Sequence, residues 1–319
     1  MTPVRIDPFV LMILGLAGLG IVLPAQGAAL AVVSVLVQVG IVALFFLYGA
    51  RLSTAEVVHG LTAWRVHAVI IAATFVLFPL LGLALSPLAP GVISQQLLAA
   101  LVFVCLVPST VQSSVAFTSI AGGDRAIAVV AASTSSLLGV FLTPLLVALM
   151  LGGDVTVDAE AVLRIVGLLL VPFLVGQLAR HWLRPWLVRH DVGLRRFDRS
   201  TVLLVVYAGF SRGTNADVWH VLDWGDGVVV GAVCVGLLAV SSVLCWAAGR
   251  RFGRGARIAI YFCGTNKSLA AGLPMASVLF SATTFPLMIL PLMVYHQLQL
   301  IVGSLIATRL SGHGRSVDP

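Results

Sequence analysis

Long apolar runs separated by short polar segments dominate the sequence. A helix needs about 20 mostly apolar residues to cross about 30 Å of hydrocarbon. Ten stretches meet this requirement, at approximately residues 8–25, 28–50, 67–86, 97–121, 126–151, 161–181, 201–222, 227–249, 256–280 and 284–310. The pattern therefore predicts an all-α membrane protein with ten transmembrane helices.

The composition excludes a soluble domain. Of the 319 residues, 60% are hydrophobic and 10% are charged, and the mean hydropathy is +1.09. Soluble proteins carry about 25% charged residues, so lipid must solvate most of this surface. Four cysteines without metal-ligand spacing are interpreted as small buried side chains, and no disulfide framework is inferred. They are Cys105, Cys234, Cys245 and Cys263.

The arginines predict the orientation in the membrane. With a cytoplasmic N-terminus, sixteen arginines fall in cytoplasmic segments, and two, Arg164 and Arg212, fall towards the outside. Cytoplasmic loops carry an excess of Arg and Lys, so both termini are predicted to be cytoplasmic in the inner (plasma) membrane. The basic segment 180–199 is interpreted as an anchor on anionic lipid. Nucleic-acid binding is not expected.

Ten spans divide into two halves of five. The first repeat covers residues 1–151 and the second 161–310, with an outer loop at 152–160 and a cytoplasmic tail at 311–319. An odd number of spans gives the two halves opposite topologies. Inverted repeats of this kind are typical of secondary transporters.

Polar residues interrupt the fourth and ninth spans at matching places. After Pro108, which cannot continue a helical hydrogen-bond ladder, the fourth span has Ser109, Thr110, Gln112, Ser113 and Ser114. The ninth has Gly264, Thr265, Asn266, Lys267 and Ser268, with Pro274 following. Irregular backbone at membrane depth is tolerated where it is buried in protein or lines a cavity. We therefore predict two discontinuous helices with a binding site between them; the alternative is that Pro and Gly only kink packed helices.

Lys267 is the only lysine of the chain and lies about eleven residues into the ninth span. A central lysine costs about 2.5–3.5 kcal/mol on insertion scales, and no Asp or Glu lies mid-span to pair with it. Three interpretations are open. Lys267 is a fixed cation that replaces a metal ion or binds an anionic solute, a structural group bonded to carbonyls of the broken helices, or a catalytic base or Schiff-base amine.

Other intramembrane polar residues give weaker signals. His296 lies in the tenth span and is either a proton relay or a packing and hydrogen-bonding group. Ser133 and Thr134 in the fifth span either belong to the site or bond the backbone, as hydroxyls in membrane helices often do.

Three motifs resemble the bile acid:sodium symporter family, and in particular its SBF-like bacterial branch. They are PSTVQSSVAFTSIAGGDRA, YFCGTNKSLAAGLPMA and FPLMILPLMVYHQLQLIVGSLIA, and the resemblance covers about residues 5–310. It implies two inverted five-helix repeats, a panel and a core domain, and fourth and ninth helices that unwind where they cross. It also implies alternating access driven by sodium.

The family's sodium ligands carry over only in part. The resemblance places a Ser-Asn pair of the family at Ser113 and Ser114, fifth-helix hydroxyls near Ser133 and Thr134, and a third-helix glutamine at Thr74. The ninth-helix run becomes Asn266, Lys267 and Ser268. Ser113, Ser114 and Ser133 are thus candidate sodium ligands, and no other cofactor is implied.

A family carboxylate is missing from the ninth helix. The glutamate position reads Phe262, while Lys267 has appeared. A sodium ion 4 Å from an ammonium is repelled by about 4 kcal/mol at an effective dielectric constant of 20. The hypothesis is that Lys267 stands in for at least one sodium ion.

The sequence therefore predicts a secondary active transporter of a small organic anion whose coupling need not depend on sodium. No P-loop motif is present to support ATP drive. The alternatives are an intramembrane hydrolase, with Lys267 as base for Ser113, Ser114 or Ser268, and a regulatory membrane protein without transport. The solute, the coupling ion, the direction and the oligomeric state are not predicted.

Overall fold

The computed structural model describes residues 8–51, 63–152, 166–217, 224–281 and 283–312. The all-α prediction is confirmed for these ranges. The helices are α1 Pro8–Val22, α2 Gly27–Arg51, α3 Trp64–Ala72, α4 Phe78–Leu83, α5 Gln95–Leu106, α6 Val111–Ile120, α7 Arg125–Leu151, α8 Val171–Arg189, α9 Asp191–Asn215, α10 Trp224–Ala248, α11 Arg254–Thr265, α12 Leu269–Leu279 and α13 Phe285–Gly312. Most of the predicted outer loop 152–160 and tail 311–319, and Arg164 with them, lie outside the described residues.

Several helices are suited to a lipid environment. Within the described ranges, five helical segments are long and apolar enough to cross a membrane, and one of them, Trp64–Leu88, runs through both α3 and α4. The pair α5 and α6, bent by 57°, would be a sixth if it forms one span. Aliphatic side chains such as Val22, Leu149 and Leu178 are 72–83% exposed, which suits contact with acyl chains rather than water. The chain is therefore a multi-pass membrane protein, and the count of ten spans in two inverted repeats stays a prediction.

Two glycines allow α2 and α8 to pack backbone against backbone. A Cβ added at Gly49 would lie 1.9 Å from the carbonyl oxygen of Phe173, and one added at Gly176 would lie 1.9 Å from that of Phe46. Small residues permit this close approach in membrane helix pairs. The contact holds the end of α2, with Arg51, beside α8.

Extended backbone separates α5 from α6 and α11 from α12. Val107 and Thr110 have extended dihedrals, as do Asn266 and Ser268. We call residues 107–110 the first break and residues 266–268 the second break. Helix α5 ends at Leu106 because the residue before a proline is pushed out of the α region, and Pro108 has no N–H for the ladder. Ser268 caps α12 by accepting a hydrogen bond from the Ala271 N–H at 3.1 Å.

A π-helical turn, Ala73–Leu77, joins α3 to α4. The Phe78 N–H donates to the carbonyl of Ala73, five residues back, so it does not serve Thr74. The next residue, Pro79, has no N–H to donate. The carbonyl of Thr74 is therefore left available to a donor from outside its own helix. Such π turns are frequent at functional sites.

Candidate functional site

The two breaks and the helix ends beside them are hydrogen-bonded to each other. The Ser268 N–H donates to the carbonyl of Pro108 at 2.8 Å, and the Ser109 hydroxyl donates to the carbonyl of Cys263 at 2.7 Å. The Ser114 hydroxyl donates to the carbonyl of Phe262 at 3.1 Å. It accepts from the Asn266 amide, also at 3.1 Å. Polar groups freed by one break therefore find their partners at the other, as buried backbone groups must.

Lys267 is fully buried between the two breaks. Its Nζ donates to the carbonyls of Val107 at 3.0 Å, Cys105 at 3.1 Å and Thr74 at 3.2 Å. An ammonium has three donors, and all three are used. Nζ also lies 3.9 Å from the centroid of the Phe78 ring, a cation–π distance.

Two of the three carbonyls that receive the ammonium belong to a negative helix end. Cys105 and Val107 lie at the C-terminus of α5, where the helix dipole places partial negative charge. The carbonyl between them, that of Leu106, accepts from the Thr143 hydroxyl at 2.8 Å. Lys267 and Thr143 thus satisfy the last carbonyls of α5, which have no partner within the helix.

Helix α13 binds both the N–H and the carbonyl of Lys267. The Gln299 side-chain oxygen accepts from the Lys267 N–H at 2.6 Å, and its amide nitrogen donates to the Lys267 carbonyl at 2.8 Å. The Tyr295 hydroxyl donates to the carbonyl of Thr265 at 2.8 Å. His296 lies beside them, with Nδ1 3.3 Å from the Lys267 carbonyl. Sequence reasoning placed His296 here but missed the roles of Tyr295, Gln299 and Thr143.

A cavity of about 420 Å³ lies next to the two breaks. Its uncharged polar lining residues, which we call the floor, are Thr110, Gln112, Ser133, Ser136 and Ser268. Its wall is apolar, with Leu137, Val140, Phe173, Val202 and Met275. Its charged lining residues, which we call the mouth because Arg195 and Arg199 are exposed, are Arg51, Arg195, Asp198 and Arg199. The volume suits a small organic molecule.

Two helix N-termini reach the cavity floor. Helix α6 begins at Val111 and α12 begins at Leu269; their N-cap residues, Thr110 and Ser268, both line the cavity. The N-terminus of a helix carries partial positive charge and N–H groups without partners in the helix. Two such ends at one floor favour a negatively charged ligand group.

The cavity mouth is also positive. Three arginines and one aspartate line it. Arg51 Nη1 donates to Asp198 Oδ2 at 2.5 Å, and Arg195 pairs with Asp191 one turn earlier on α9. Burial raises the pKa of the Asp198 carboxyl, against the opposing effect of Arg51. Sequence reasoning counted these arginines for topology and missed their place at the cavity.

The structure does not bring all of the predicted site residues together. Gln112, Ser133 and Ser268 line the cavity. Ser114, Asn266 and Lys267 are buried among the hydrogen bonds between the breaks. The hydroxyls of Thr74 and Thr265 donate to carbonyls four residues earlier in their own helices. The Ser113 hydroxyl is buried and has no hydrogen-bond partner among the described residues.

The surroundings of Lys267 bear on its three interpretations. The contacts match a group bonded to carbonyls of the broken helices. Among the described residues, those that line the cavity do not include Lys267. A direct contact between the ammonium and a solute therefore stays a prediction. The role of Ser113, Ser114 and Ser133 as sodium ligands and the place of Thr134 in the site also stay predictions.

Comparison with known proteins decides the class of protein. Residues 7–312 match the SBF-like CPA transporter family. The chain belongs to this family. The resemblance stated from the three motifs is therefore confirmed, and since this is a transporter family, the hydrolase alternative is wrong.

Relatives in bacteria and vertebrates match this SBF-like transporter over most of its length. The uncharacterized protein PA2026 of Pseudomonas aeruginosa is 44% identical over 95% of the chain and 92% of its own length. YfeH of Escherichia coli, provisionally named a symporter, is 40% identical over the same shares of both chains. Sodium/bile acid cotransporter 7 of Danio rerio is 29% identical over 88% of the chain and 87% of its own length.

Proposed function

We propose that this SBF-like transporter is a secondary active transporter that moves a small organic anion by alternating access. The solute would bind in the 420 Å³ cavity beside the two breaks. The names of YfeH and of sodium/bile acid cotransporter 7, a symporter and a cotransporter, support coupled transport.

The observation that carries this proposal is the charge of the cavity. The N-termini of α6 and α12 meet at its floor, and Arg51, Arg195 and Arg199 line its mouth against the single carboxylate of Asp198. Helix N-termini and guanidinium groups both bind carboxylates, sulfonates and phosphates. The apolar wall between floor and mouth would hold the carbon body of the solute.

The contacts of Lys267 support transport that does not depend on a sodium ion bound at the breaks. Its ammonium already occupies the carbonyls of Thr74, Cys105 and Val107, which are the oxygens a hard cation would use. A sodium ion about 4 Å away would be repelled by about 4 kcal/mol at an effective dielectric constant of 20. The residues present therefore fit a fixed ammonium better than a sodium ion, and no transport step is assigned to sodium here.

The proposal includes the number of spans, their repeat and their orientation in the membrane. Ten spans would form two inverted repeats, residues 1–151 and 161–310. The pair α5 and α6 would be the discontinuous fourth helix, and the pair α11 and α12 the discontinuous ninth helix, crossing at the breaks. Both termini would be cytoplasmic in the inner membrane. Because the arginines of the mouth belong to the cytoplasmic set, the cavity would open to the cytoplasm.

Uptake into liposomes tests the proposal. Liposomes with purified protein and matched liposomes without protein are incubated with a small-molecule extract of cells, washed, and analysed by mass spectrometry. We expect organic anions to be enriched in the vesicles that contain protein. No solute above the empty vesicles would favour a regulatory membrane protein, and enrichment of cations or neutral solutes only would contradict the anion assignment.

A further inference from the structure

Arg51 and Asp198 face each other at the cavity mouth. Arg51 ends α2, and Asp198 lies on α9, 147 residues later. Both side chains are partly buried, with exposed fractions of 26% for Arg51 and 19% for Asp198. Among the described residues that line the cavity, Asp198 is the single acidic side chain.

The pair is joined by a single hydrogen bond. Arg51 Nη1 donates to Asp198 Oδ2 at 2.5 Å. Arg51 Nη2 and Asp198 Oδ1 are both buried, and neither has a hydrogen-bond partner among the described residues. An arginine and a carboxylate commonly form two parallel bonds. This pair therefore keeps one charged donor and one charged acceptor unused beside a solute-sized cavity.

The charged groups around Arg51 and Asp198 are mostly positive. On α2 the neighbour is Tyr48, and on α9 the neighbours are Arg195, Arg199 and the more distant Asp191, which is paired with Arg195. The other elements around the cavity, α1, α6, α7, α8 and α12, contribute only uncharged side chains from the described residues. These are Phe9, Thr110, Val111, Gln112, Ser133, Ser136, Leu137, Val140, Phe173, Ser268, Ala270, Ala271 and Met275. Asp198 is thus the carboxylate that an incoming anion would meet.

An anion and an ionised Asp198 would compete for the same guanidinium. If Asp198 takes up a proton on Oδ1, one O–H bond forms and the carboxyl becomes neutral. Arg51 then has both of its terminal nitrogens free to donate to two oxygens of an anion, in the bidentate geometry that arginine favours. Proton binding and anion binding must then strengthen each other equally, because coupling between two sites is reciprocal.

The surroundings of the Asp198 carboxyl also favour its protonation when an anion binds. Burial raises the pKa of Asp198, and Arg51 is the group that lowers it. When the guanidinium of Arg51 turns to the anion, the carboxyl loses its bond to Arg51 and gains a neighbouring negative charge. Both changes favour the protonated form.

We propose that Arg51 and Asp198 form a proton-linked anion site at the cavity mouth, in which Arg51 binds the anionic group of the solute and Asp198 takes up one proton as the solute binds. The proposal rests on the proposed function, since it assumes that this cavity holds the solute. It assigns a coupling ion, the proton, and leaves Lys267 as the fixed cation at the breaks.

The probe for the test is 2-naphthalenesulfonate, an organic anion whose sulfonate stays ionised across the pH range used. Its binding to the protein in lipid nanodiscs is measured between about pH 5.5 and pH 8, with empty nanodiscs as background. Calorimetry in two buffers of different ionisation enthalpy counts the protons taken up. For wild type we expect the Kd to rise with pH, by up to about tenfold per pH unit, which is the limit for one linked proton.

Three variants assign the effect to residues. In Asp198→Asn we expect the pH dependence to be lost, with a Kd near the wild-type value at low pH. In Arg51→Gln we expect binding at least about tenfold weaker at low pH. Asp191→Asn is the matched control, because this aspartate lies on the same helix but does not line the cavity. Its pH dependence should persist.

The proton count on wild type needs no variant, so the test stands even if Asp198→Asn does not fold. No probe binding at any pH, the same Kd at every pH, or a pH dependence that survives Asp198→Asn would each overturn the proposal. Solute uptake by liposomes together with pH-independent probe binding would overturn this proposal and leave the transport function standing. Proton-linked binding without uptake would overturn the transport function and leave the proton-linked anion site standing.

Discussion

Replacing Lys267 with glutamine removes the one buried ammonium at the breaks while keeping a polar side chain of similar length. Glutamine offers two neutral N–H donors in place of the three charged donors that reach Thr74, Cys105 and Val107. Its side-chain oxygen can also turn towards a cation. We expect Lys267→Gln to become sensitive to sodium, while the wild type is insensitive.

The magnitudes favour sodium sensitivity over stability as the readout. A hydrogen bond from a charged donor contributes about 1.5–3 kcal/mol and a neutral one about 0.5–1.5 kcal/mol. Against this loss, the variant no longer bears the several kcal/mol that burying a charge costs. We therefore expect the free energy of unfolding to fall by only about 1–2 kcal/mol without sodium.

The effect of sodium should differ much more between the two proteins. Removing a repulsion of about 4 kcal/mol at 4 Å changes a Kd about a thousandfold. At a sodium concentration of 100 times the variant's Kd, bound sodium stabilises the variant by about 2.7 kcal/mol. A wild-type Kd about a thousandfold higher leaves a stabilisation of about 0.06 kcal/mol at the same concentration.

The assay is unfolding in lipid nanodiscs with sodium chloride or with choline chloride at equal ionic strength. Arg212→Gln is the matched control, because Arg212 is another partly buried cation within a helix, and it donates to Ser34 rather than to carbonyls at a break. We expect no sodium effect in that control. An equal stabilisation of wild type and of Lys267→Gln by sodium, or none of the variant, would refute the reasoning.

Three further substitutions, one of them with a matched control, test the packing and the cavity. Gly176→Ala places a Cβ 1.9 Å from the Phe46 carbonyl oxygen and should lower the free energy of unfolding by about 1–3 kcal/mol. A Cβ at Gly236 in α10 meets no described atom within 4 Å, so Gly236→Ala should not lower it. Thr143→Val deprives the Leu106 carbonyl of its donor and should lower it by about 1–3 kcal/mol in denaturant titrations; an unchanged value would mean that water replaces the hydroxyl. Ala270→Trp puts an indole at the cavity and should reduce uptake at least about tenfold with an unfolding temperature near that of wild type; normal uptake would place the solute elsewhere.

Local chemistry made some helix boundaries predictable, but not those of α8, which continues to Arg189 beyond the predicted span 161–181, or of α9, which begins at Asp191 before the predicted span 201–222. The span predicted at 126–151 corresponds to α7, Arg125–Leu151, which Asp124 caps by accepting from the Ile127 N–H at 3.0 Å. Apolar length and cap residues are properties of neighbouring positions, so they can be identified in the sequence. The same is true of Pro108, where a missing N–H ends α5 at Leu106.

The partners of Lys267 could not be predicted in the same way. Its ammonium binds carbonyls 160 to 193 residues away in the chain. Every residue has a carbonyl, so residue identity carries almost no signal for this kind of contact. In an α-helix Pro79 would free the carbonyl of Phe75; it frees that of Thr74 only because the π turn shifts the pairing by one residue, and the sequence does not show this turn. The pair of Arg51 and Asp198 depends on how α2 meets α9, which periodicity within either helix does not determine.

The central claim is that organic anions cross the membrane through the cavity beside the breaks. The most direct measurement is the time course of uptake of one such anion into liposomes in sodium-free buffer, with wild type and Ala270→Trp side by side. The account predicts accumulation with wild type and little with the variant. Equal uptake by both proteins, or uptake by wild type no faster than by liposomes without protein, would contradict it.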